Sequence, residues 1–262
     1  MSKYRRIWNA DVHRRYVREG RGRGWSDGYT PWIRIQDFAS LGVVSRVKGM
    51  TTGRVHHLMS NNELAYFYIL DWSDKVTDIR EQYPLSDLES AVRIAAQAGI
   101  RYPKDRTSGY PYVLTCDFMI TTIDGASKAR TIKNSSELGD SRVLEKLEIE
   151  RRYWLEQGVD WKIVTEHEIS YQKAKNIEWL YTAHGFDATK STSTSQIQAQ
   201  DMMRQLLLSK AYSILESALM MEREFILTEG MGLQLFKQLV LNKQITLNLN
   251  NPIDLNARGV VA

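Results

Sequence analysis

The sequence predicts an α/β (α+β) fold, with a mixed sheet flanked by helices over residues 1–168 and a mainly helical, winged-helix-like domain over residues 169–262. Three patterns support the first domain. They are a capped helix, a strand–turn–strand pattern and an amphipathic helix that leads into a strand, and they lie at residues 60–72, 115–135 and 141–165. Strands that alternate with helices in this way are typical of a sheet covered by helices.

The first clear helix begins after Ser60. Glu63 follows Ser60 by three residues, which forms a capping box, and the apolar residues that come next leave almost no polar face. We therefore expect this helix to be buried. A strand stopped by Pro84 and a short helix come next, at residues 75–85 and 87–98.

The strand–turn–strand pattern predicts a β-hairpin with charges at unusual positions. Its turn contains Asp124 and Gly125, its first strand carries Asp117 near the start, and its second strand ends on Lys133. Half-buried strands seldom carry charges without a use for them. An amphipathic helix that ends at a glycine and a fourth strand follow, at residues 141–158 and 159–165.

The two ends of the chain differ from this central region. Residues 1–55 are predicted to be loop-rich, and their glycines do not match a dinucleotide-binding fingerprint, so no nucleotide cofactor is predicted. Two helical runs, at 195–222 and 229–242, dominate the C-terminal part. A short predicted strand then has the apolar residues Ile245, Leu247 and Leu249. Helices closed by a small hairpin suggest the winged-helix-like module.

The composition is that of an ordinary globular protein. Of the 262 residues, 43% are hydrophobic and 25% are charged. No apolar run approaches the roughly 18 residues needed to span a bilayer, so no membrane association is predicted. The single cysteine, Cys116, rules out an internal disulfide framework and fits a reducing cytoplasm, where we expect it to be a small apolar residue in a strand.

Positive charge is concentrated near the N-terminus. Residues 1–58 contain 12 Lys or Arg and 4 Asp or Glu, although the net charge of the whole chain is only +4. Arginines contact phosphates, and the interleaved aromatic residues can pack on sugars or bases, so this region is predicted to bind nucleic acid. A solvated basic surface is the alternative. The predicted DNA-binding residues are Arg14, Arg15, Arg18, Arg21 and Arg23.

Glu63, Asp117 and Lys133 are the candidate catalytic residues. The register of the hairpin decides whether Asp117 and Lys133 share a face. A two-residue turn at 124–125 would pair Asp117 with Ile132 and send Lys133 to the other face. A three-residue loop at 124–126, with a bulge, would pair Asp117 directly with Lys133.

The three side chains together would suit a metal-dependent phosphodiesterase. Two close carboxylates repel each other unless a cation lies between them, and Mg²⁺ prefers oxygen ligands. A lysine beside the metal can orient or deprotonate a water molecule and stabilise developing charge. The alternatives are that Glu63 only caps its helix and that Asp117 and Lys133 form an ion pair.

Several longer stretches resemble the TnsA family, the endonuclease subunits of heteromeric transposases. The matching stretches cover most of residues 15–182. They are EGRGRG (19–24), DGYTPW (27–32), TGRVHHLMSNNELA (52–65), DIREQYPL (78–85), CDFMI (116–120), LEKLEIERRYW (144–154) and NIEWLY (176–181).

The resemblance implies a restriction-endonuclease-like domain of the PD-(D/E)XK type. Its helical glutamate falls on Glu63, its strand aspartate on Asp117 and its terminal lysine on Lys133. The backbone carbonyl of Ile132 is a further implied metal ligand. The residue two before the lysine, usually acidic or Gln, is Thr131 here, a weak neutral ligand that leaves metal affinity and rate open. The implied cofactor is Mg²⁺, bound as two ions, with Mn²⁺ as a substitute.

The resemblance also implies an activity and partners. Family members cut the non-transferred strand near the 5′ end of double-stranded DNA at transposon ends, while a TnsB-like partner transposase cuts and joins the 3′ ends. The C-terminal domain is implied to dock the partner and a TnsC-like AAA+ regulator in the bacterial cytoplasm, with DNA contact by that domain left open. A weakened nuclease-fold scaffold and a stand-alone restriction or repair nuclease are the alternatives.

Overall fold

A four-stranded mixed sheet organises the first of the two units into which the chain divides. The units are Met1–Ile169 and Ser170–Ala262. The computed structural model describes residues 7–37, 43–183 and 194–261. The predicted domain boundary, between residues 168 and 169, lies next to this division.

The first unit alternates helices and strands through most of its length. In chain order they are α1 (Ala10–Arg18), β1 (Ser45–Lys48), β2 (Val55–Leu58), α2 (Asn61–Asp71), β3 (Val76–Pro84), α3 (Leu88–Gln97), β4 (Thr115–Thr122), β5 (Ser127–Ile132), α4 (Ser141–Glu156) and β6 (Asp160–Val164).

The strand order in the main sheet is β3-β4-β5-β6. β4 is antiparallel to both β3 and β5, whereas β6 runs parallel to β5. A parallel pair needs a crossover connection, which α4 supplies between β5 and β6. Strands β1 and β2 form a separate antiparallel pair. The prediction of a mixed sheet flanked by helices is therefore confirmed.

Helices α3 and α4 contact each other and cover one region of the sheet. Ile94 of α3 and Ile149 and Trp154 of α4 lie in a core cluster with Cys116 of β4, and each is at most 4% exposed. Burial of each large apolar side chain contributes about 1.5–3 kcal/mol. Cys116 is free and fully buried, which agrees with its expected place as a small apolar residue.

The β4–β5 turn is a three-residue loop at residues 123–125. The amide of Thr122 donates to the carbonyl of Ala126 at 3.0 Å, and Gly125 takes a φ of +79°. A left-handed residue at this point is typical of a type I turn with a bulge. The loop therefore has the predicted length but begins one residue earlier than predicted.

The prediction that residues 1–55 are loop-rich is wrong in two places. Helix α1 begins after Asn9, whose side chain accepts a hydrogen bond from the amide of Val12. The hairpin of β1 and β2 was also missed. Helix α1 has only nine residues and buries only Tyr16, while β1 and β2 have four residues each, so each element is too short for its hydrophobic period to be recognised.

The second unit is helical. Its helices are α5 (Tyr171–Tyr181), α6 (Thr194–Leu208), α7 (Ile214–Glu224) and α8 (Met231–Leu241). The predicted run at 195–222 is two helices, because Ser213 and Glu216 form a capping box that starts α7.

The predicted strand near Leu247 is wrong for the described part of this unit. Leu247 forms only an isolated bridge with Val261, and Ser213 forms another with Arg258. These residues close the unit without a regular hairpin, so the wing of a winged helix is not present there as a pair of strands.

No helix in the described ranges combines the length and the apolar composition that a membrane-spanning segment requires.

Candidate active site

Asp117 lies on β4 and is held by a hydrogen bond to the end of the neighbouring strand, β5. Its Oδ2 accepts a hydrogen bond from the amide of Ile132 at 2.6 Å. The β4–β5 register pairs Phe118 with Arg130, and continuing it by one residue places Asp117 opposite Thr131. The predicted direct pairing of Asp117 with Lys133 is therefore wrong. Because the loop begins at Ile123, Asp117 lies opposite Thr131, two residues before Lys133. Asp117 and Lys133 nevertheless have the same parity in this register.

Glu63 enters the site from the first turn of α2. Its Oε1 accepts from the hydroxyl of Ser60 at 3.1 Å, and its Oε2 accepts from the amide of Met59 at 2.9 Å. Glu63 therefore stabilises the start of its helix. Burial, and then the charge of Asp117, raise the pKa of Glu63 to about 8. A capping role and proximity to Asp117 thus coexist in one side chain.

Lys133 is the cation of the site. Its Nζ donates to the carbonyl of Ile132 at 3.0 Å. Burial alone would lower the pKa of Lys133, but Asp117 and other nearby carboxylates outweigh burial and raise it. Lys133 therefore carries its positive charge at neutral pH. The pKa of Asp117 is raised by burial, and Lys133 and the Ile132 amide oppose that rise.

An open pocket of about 470 Å³ gives access to these groups. It lies where the start of α2 meets the end of β5. Its lining is Ser60, Asn61, Asn62, Glu63, Ile132, Lys133, Asn134 and Glu137. Asp117 does not line the pocket, so a ligand there meets Glu63 and Lys133 first.

Glu150 of α4 is a residue of this region that the sequence reasoning missed. It is 6% exposed, and burial raises the pKa of its carboxyl to about 8, with the charge of Asp117 adding to the rise. Its Oε2 accepts from the hydroxyl of Thr131 at 2.6 Å. A signal was present in the sequence: Glu150 occupies the buried stripe of α4 between Leu147 and Trp154, where an apolar residue is expected.

The hydroxyl of Thr131 is already used within the protein. It accepts from Nε1 of Trp161 at 3.2 Å and donates to Glu150 at 2.6 Å, and the residue is 2% exposed. These contacts leave the hydroxyl poorly placed to be a metal ligand, as the sequence had suggested it could be. Thr131 instead connects β5 to α4 and β6.

Thr131→Val should destabilise the first unit by about 1–3 kcal/mol, because it keeps the shape but removes the hydrogen bonds that the Thr131 hydroxyl makes with the buried Glu150 carboxyl and the Trp161 N–H. Urea unfolding measures the effect. Thr107→Val, at an exposed loop residue, is the control. A Thr131→Val protein as stable as the wild type would show that the chain of hydrogen bonds contributes nothing.

The predicted DNA-binding arginines fall into two groups. Arg14, Arg18 and Arg23 are exposed, and Arg15 is half-buried with Glu19 at 3.5 Å. Arg14 also has a salt bridge to Asp11. Arg21 differs, because it is only 7% exposed and lies 3.5 Å from the ring of Tyr16.

Arg21 has a structural role in place of the predicted phosphate contact. Its guanidinium donates to Asp37 at 2.5 Å and to the carbonyl of Trp32 at 3.1 Å, and it also binds Glu19. A guanidinium surrounded by these acceptors has no free face for a phosphate. The prediction for Arg21 is therefore corrected.

The ligand atoms that the site offers determine which metal ion it suits. Within the described residues, no three His, Cys, Asp or Glu side chains are close enough to hold a metal as a group. The oxygens of Glu63 and Asp117 and the carbonyl of Ile132 are hard donors of the kind that Mg²⁺ uses, and Mg²⁺ keeps several water ligands of its own. The residues present therefore fit Mg²⁺, and they lack the nitrogen or sulfur ligands that are typical of a zinc site.

The fold and the site together define a class of protein. A mixed sheet with helices brings the buried carboxylate of Glu63, the half-buried carboxylate of Asp117 and the charged Lys133 together, which is a donor set suited to phosphodiester chemistry. Comparison with known families then gives a family. The model "TnsA-like endonuclease N terminal" matches residues 73–166, and the model "TnsA endonuclease C terminal" matches residues 168–249. The chain belongs to the TnsA family.

A curated relative agrees with this assignment. The chain is 43% identical over 170 residues to the transposon Tn7 transposition protein TnsA of Escherichia coli. The match covers 64% of this chain and 61% of the relative, so the chain spans about three fifths of that protein's length. Glu63 lies before the residues matched by the N-terminal family model.

Proposed function

We propose that the protein is a Mg²⁺-dependent DNA endonuclease that cleaves the 5′, non-transferred strand at transposon ends, within a cut-and-paste transposase complex. The observation that carries the proposal is the proximity of Glu63, Asp117 and Lys133, of which Glu63 and Lys133 line one open pocket. Membership of the TnsA family supports the class of substrate.

Glu63, Asp117 and the Ile132 carbonyl would hold the metal. A bound Mg²⁺ supplies Lewis acidity and lowers the pKa of a coordinated water molecule. We propose that Mn²⁺ substitutes for it and that two ions are used. The carbonyl of Ile132 accepts from Lys133 in this structure and retains a second lone pair for another partner.

Lys133 would act as a fixed positive charge. Because nearby carboxylates raise its pKa, it remains protonated at neutral pH and is a poor proton acceptor. A half-buried ammonium stabilises negative charge on a phosphoryl oxygen more strongly than an exposed one does. The role as a base that the sequence left open is therefore the weaker of its two possible roles.

The exposed arginines of the N-terminal region would contact DNA phosphates. Replacing Arg14, Arg18 and Arg23 with Ala should flatten the slope of log K against log salt by roughly 2–3 units, since each phosphate contact contributes about 0.9. Affinity should fall equally on specific and random duplexes, because such contacts carry no sequence information. Fluorescence anisotropy over a salt series measures both effects.

The matched control removes the same charge elsewhere in the first unit. It replaces Arg93 of α3 and Arg151 and Arg152 of α4, which pair with glutamates on those helices. An unchanged slope in the first variant, or an equal change in the control, would show that the N-terminal arginines are only a solvated surface.

The second unit would dock the partner transposase and the AAA+ regulator. The C-terminal family model matches most of it, and its exposed apolar side chains include Ile197, Leu219 and Ile226. We propose that these side chains contribute to the docking surface. Whether this unit also contacts DNA is decided by measuring both kinds of binding with the same full-length variants.

The proposed function is tested by cleavage of a labelled transposon-end duplex, with and without the partner transposase and Mg²⁺. The proposal expects nicking of the 5′ strand only when both are present. Complex formation without cleavage would favour a scaffold, and cleavage without the partner would favour a stand-alone nuclease.

A further inference from the structure

Gln82 lies at a break in the sheet beside the proposed metal site. In the β3–β4 ladder, Glu81 pairs with Phe118 and Tyr83 pairs with Cys116, but Gln82 and Asp117 between them do not form a ladder pair. Gln82 has a φ of +49°, and its carbonyl accepts from the amide of Trp32 at 3.3 Å instead of from β4. The backbone of β3 therefore leaves the ladder directly opposite Asp117.

This backbone conformation is costly for a residue other than glycine. Left-handed backbone in a residue with a Cβ persists only where the surroundings impose it, and it is concentrated at functional sites. Glycine would adopt the same φ without strain. The presence of a buried glutamine at this position therefore indicates that its side chain has a use.

The side chain of Gln82 connects the two carboxylates of the site. Its Nε2 lies 3.4 Å from Oε2 of Glu63 and 3.4 Å from Oδ1 of Asp117. Its Oε1 accepts from the hydroxyl of Thr115 at 3.3 Å. Because the Thr115 hydroxyl donates to the amide oxygen, the NH₂ group faces the two carboxyl groups.

The chemistry of an amide suits this position. When both are ionised, as cation binding requires, Glu63 and Asp117 are like charges in a poorly solvated site, and they repel each other. The amide gives each carboxylate an N–H donor and adds no charge that a cation would have to displace. An arginine or lysine there would compete with the cation, and an apolar residue would leave both oxygens without a donor.

We propose that Gln82 is a positioning residue that holds Glu63 and Asp117 together in the metal-free protein, ready to bind a divalent cation. The inference rests on the proposed metal-dependent function of the same site. Groups that orient metal ligands typically contribute 10- to 100-fold to metal affinity. Gln82 is thus expected to act on cation binding even when no DNA is present.

The test measures Mn²⁺ binding to the full-length protein without DNA, by isothermal titration calorimetry. Gln82→Met keeps the size of the side chain and removes the amide, and it should raise the Kd for Mn²⁺ by about 10- to 100-fold. Gln97→Met is the control, at the exposed end of α3. Circular dichroism checks that both variants fold.

Asp117→Asn separates failure of this inference from failure of the proposed site. If Asp117→Asn weakens Mn²⁺ binding and Gln82→Met does not, the positioning role of Gln82 is overturned while the metal site stands. If Asp117→Asn leaves the Kd for Mn²⁺ unchanged, the metal site itself is wrong and the inference fails with it.

A second variant keeps the shape of the side chain and changes only its charge. Gln82→Glu would place a third acid beside Glu63 and Asp117, so it should lower the Tm in EDTA and give a larger rise in Tm with Mn²⁺ than the wild type shows. A merely structural role would not produce this dependence on the cation. Equal Tm values for Gln82→Glu and wild type, with and without Mn²⁺, would overturn the proposal, including where Gln82→Met fails to fold.

Discussion

Asp117→Asn is expected to reduce DNA cleavage by about two to three orders of magnitude or more, the usual loss when a group that stabilises transition-state charge is removed. The neutral amide can no longer be an anionic metal ligand. Its oxygen can still accept the hydrogen bond from the Ile132 amide, which the aspartate accepts at 2.6 Å. Activity should therefore be lost without loss of the fold. Cleavage of a labelled transposon-end duplex in the presence of the partner measures the effect.

The stability of the same variant should not fall with its activity. Burial raises the pKa of Asp117, so its ionised form is less favourable in the folded protein than in the unfolded chain. Replacing it with a neutral residue should leave the Tm in EDTA unchanged or higher at neutral pH. Asp27→Asn, at an exposed aspartate, is the control for both measurements. A Tm that falls in proportion to activity would indicate that Asp117 is only a partner in an ion pair.

Glu81→Ala is expected to destabilise the first unit by about 3–5 kcal/mol, because it leaves a buried charge without its partner. Glu81 is fully buried on β3. Its carboxylate accepts from Arg54 at 2.8 and 2.5 Å and from Nδ1 of His56 at 2.8 Å. It also accepts from the amide of His57 at 3.0 Å. Removing it leaves the guanidinium of Arg54, whose side chain is 8% exposed, without a counter-charge.

Acid titration gives an independent check on Glu81. Burial alone would raise the pKa of Glu81, but Arg54 and His56 outweigh it and lower the pKa to about 2 from an ordinary value of 4.5. A lowered pKa stabilises the fold above the unfolded pKa, and that stability is lost as the pH falls from about 4.5 towards 2. Urea unfolding at several pH values should show this loss in the wild type and in Glu89→Gln, an exposed control. A Glu81→Ala protein of wild-type stability would contradict the assignment.

Local patterns were sufficient to predict the main elements of the first unit. Ser60 and Glu63 set the start of α2, and the alternation around Gly125 set the hairpin. The predicted register of the hairpin was wrong because the turn sequence allows the loop to begin at residue 123 or at residue 124. A shift of the loop by one residue changes the residue that pairs with Asp117. Asp117 and Lys133 still lie on the same face of the sheet despite this error, because the pairing is displaced by two residues, an even number.

The residues that were missed or misassigned depend on contacts between distant parts of the chain. Gln82 has no distinctive neighbours in the sequence, because its role arises from a break in pairing with β4. Arg21 lies in a run of arginines, and composition cannot distinguish a guanidinium buried against Tyr16 and Asp37 from an exposed one. Glu150 could have been found, since a charge on the apolar stripe of a helix is visible in the sequence.

The three residues of the site are separated by different lengths of chain, which have to be closed into loops during folding. Asp117 and Lys133 flank one hairpin, so a short loop closure brings them together, whereas Glu63 arrives on α2 through a much longer closure. A chain in which α2 is detached would retain the hairpin but only one of the two acids. Such a partly folded chain would therefore lack the donor set for a cation. Under the proposed function, this dependence would protect the DNA of the cell from a nuclease that has not finished folding.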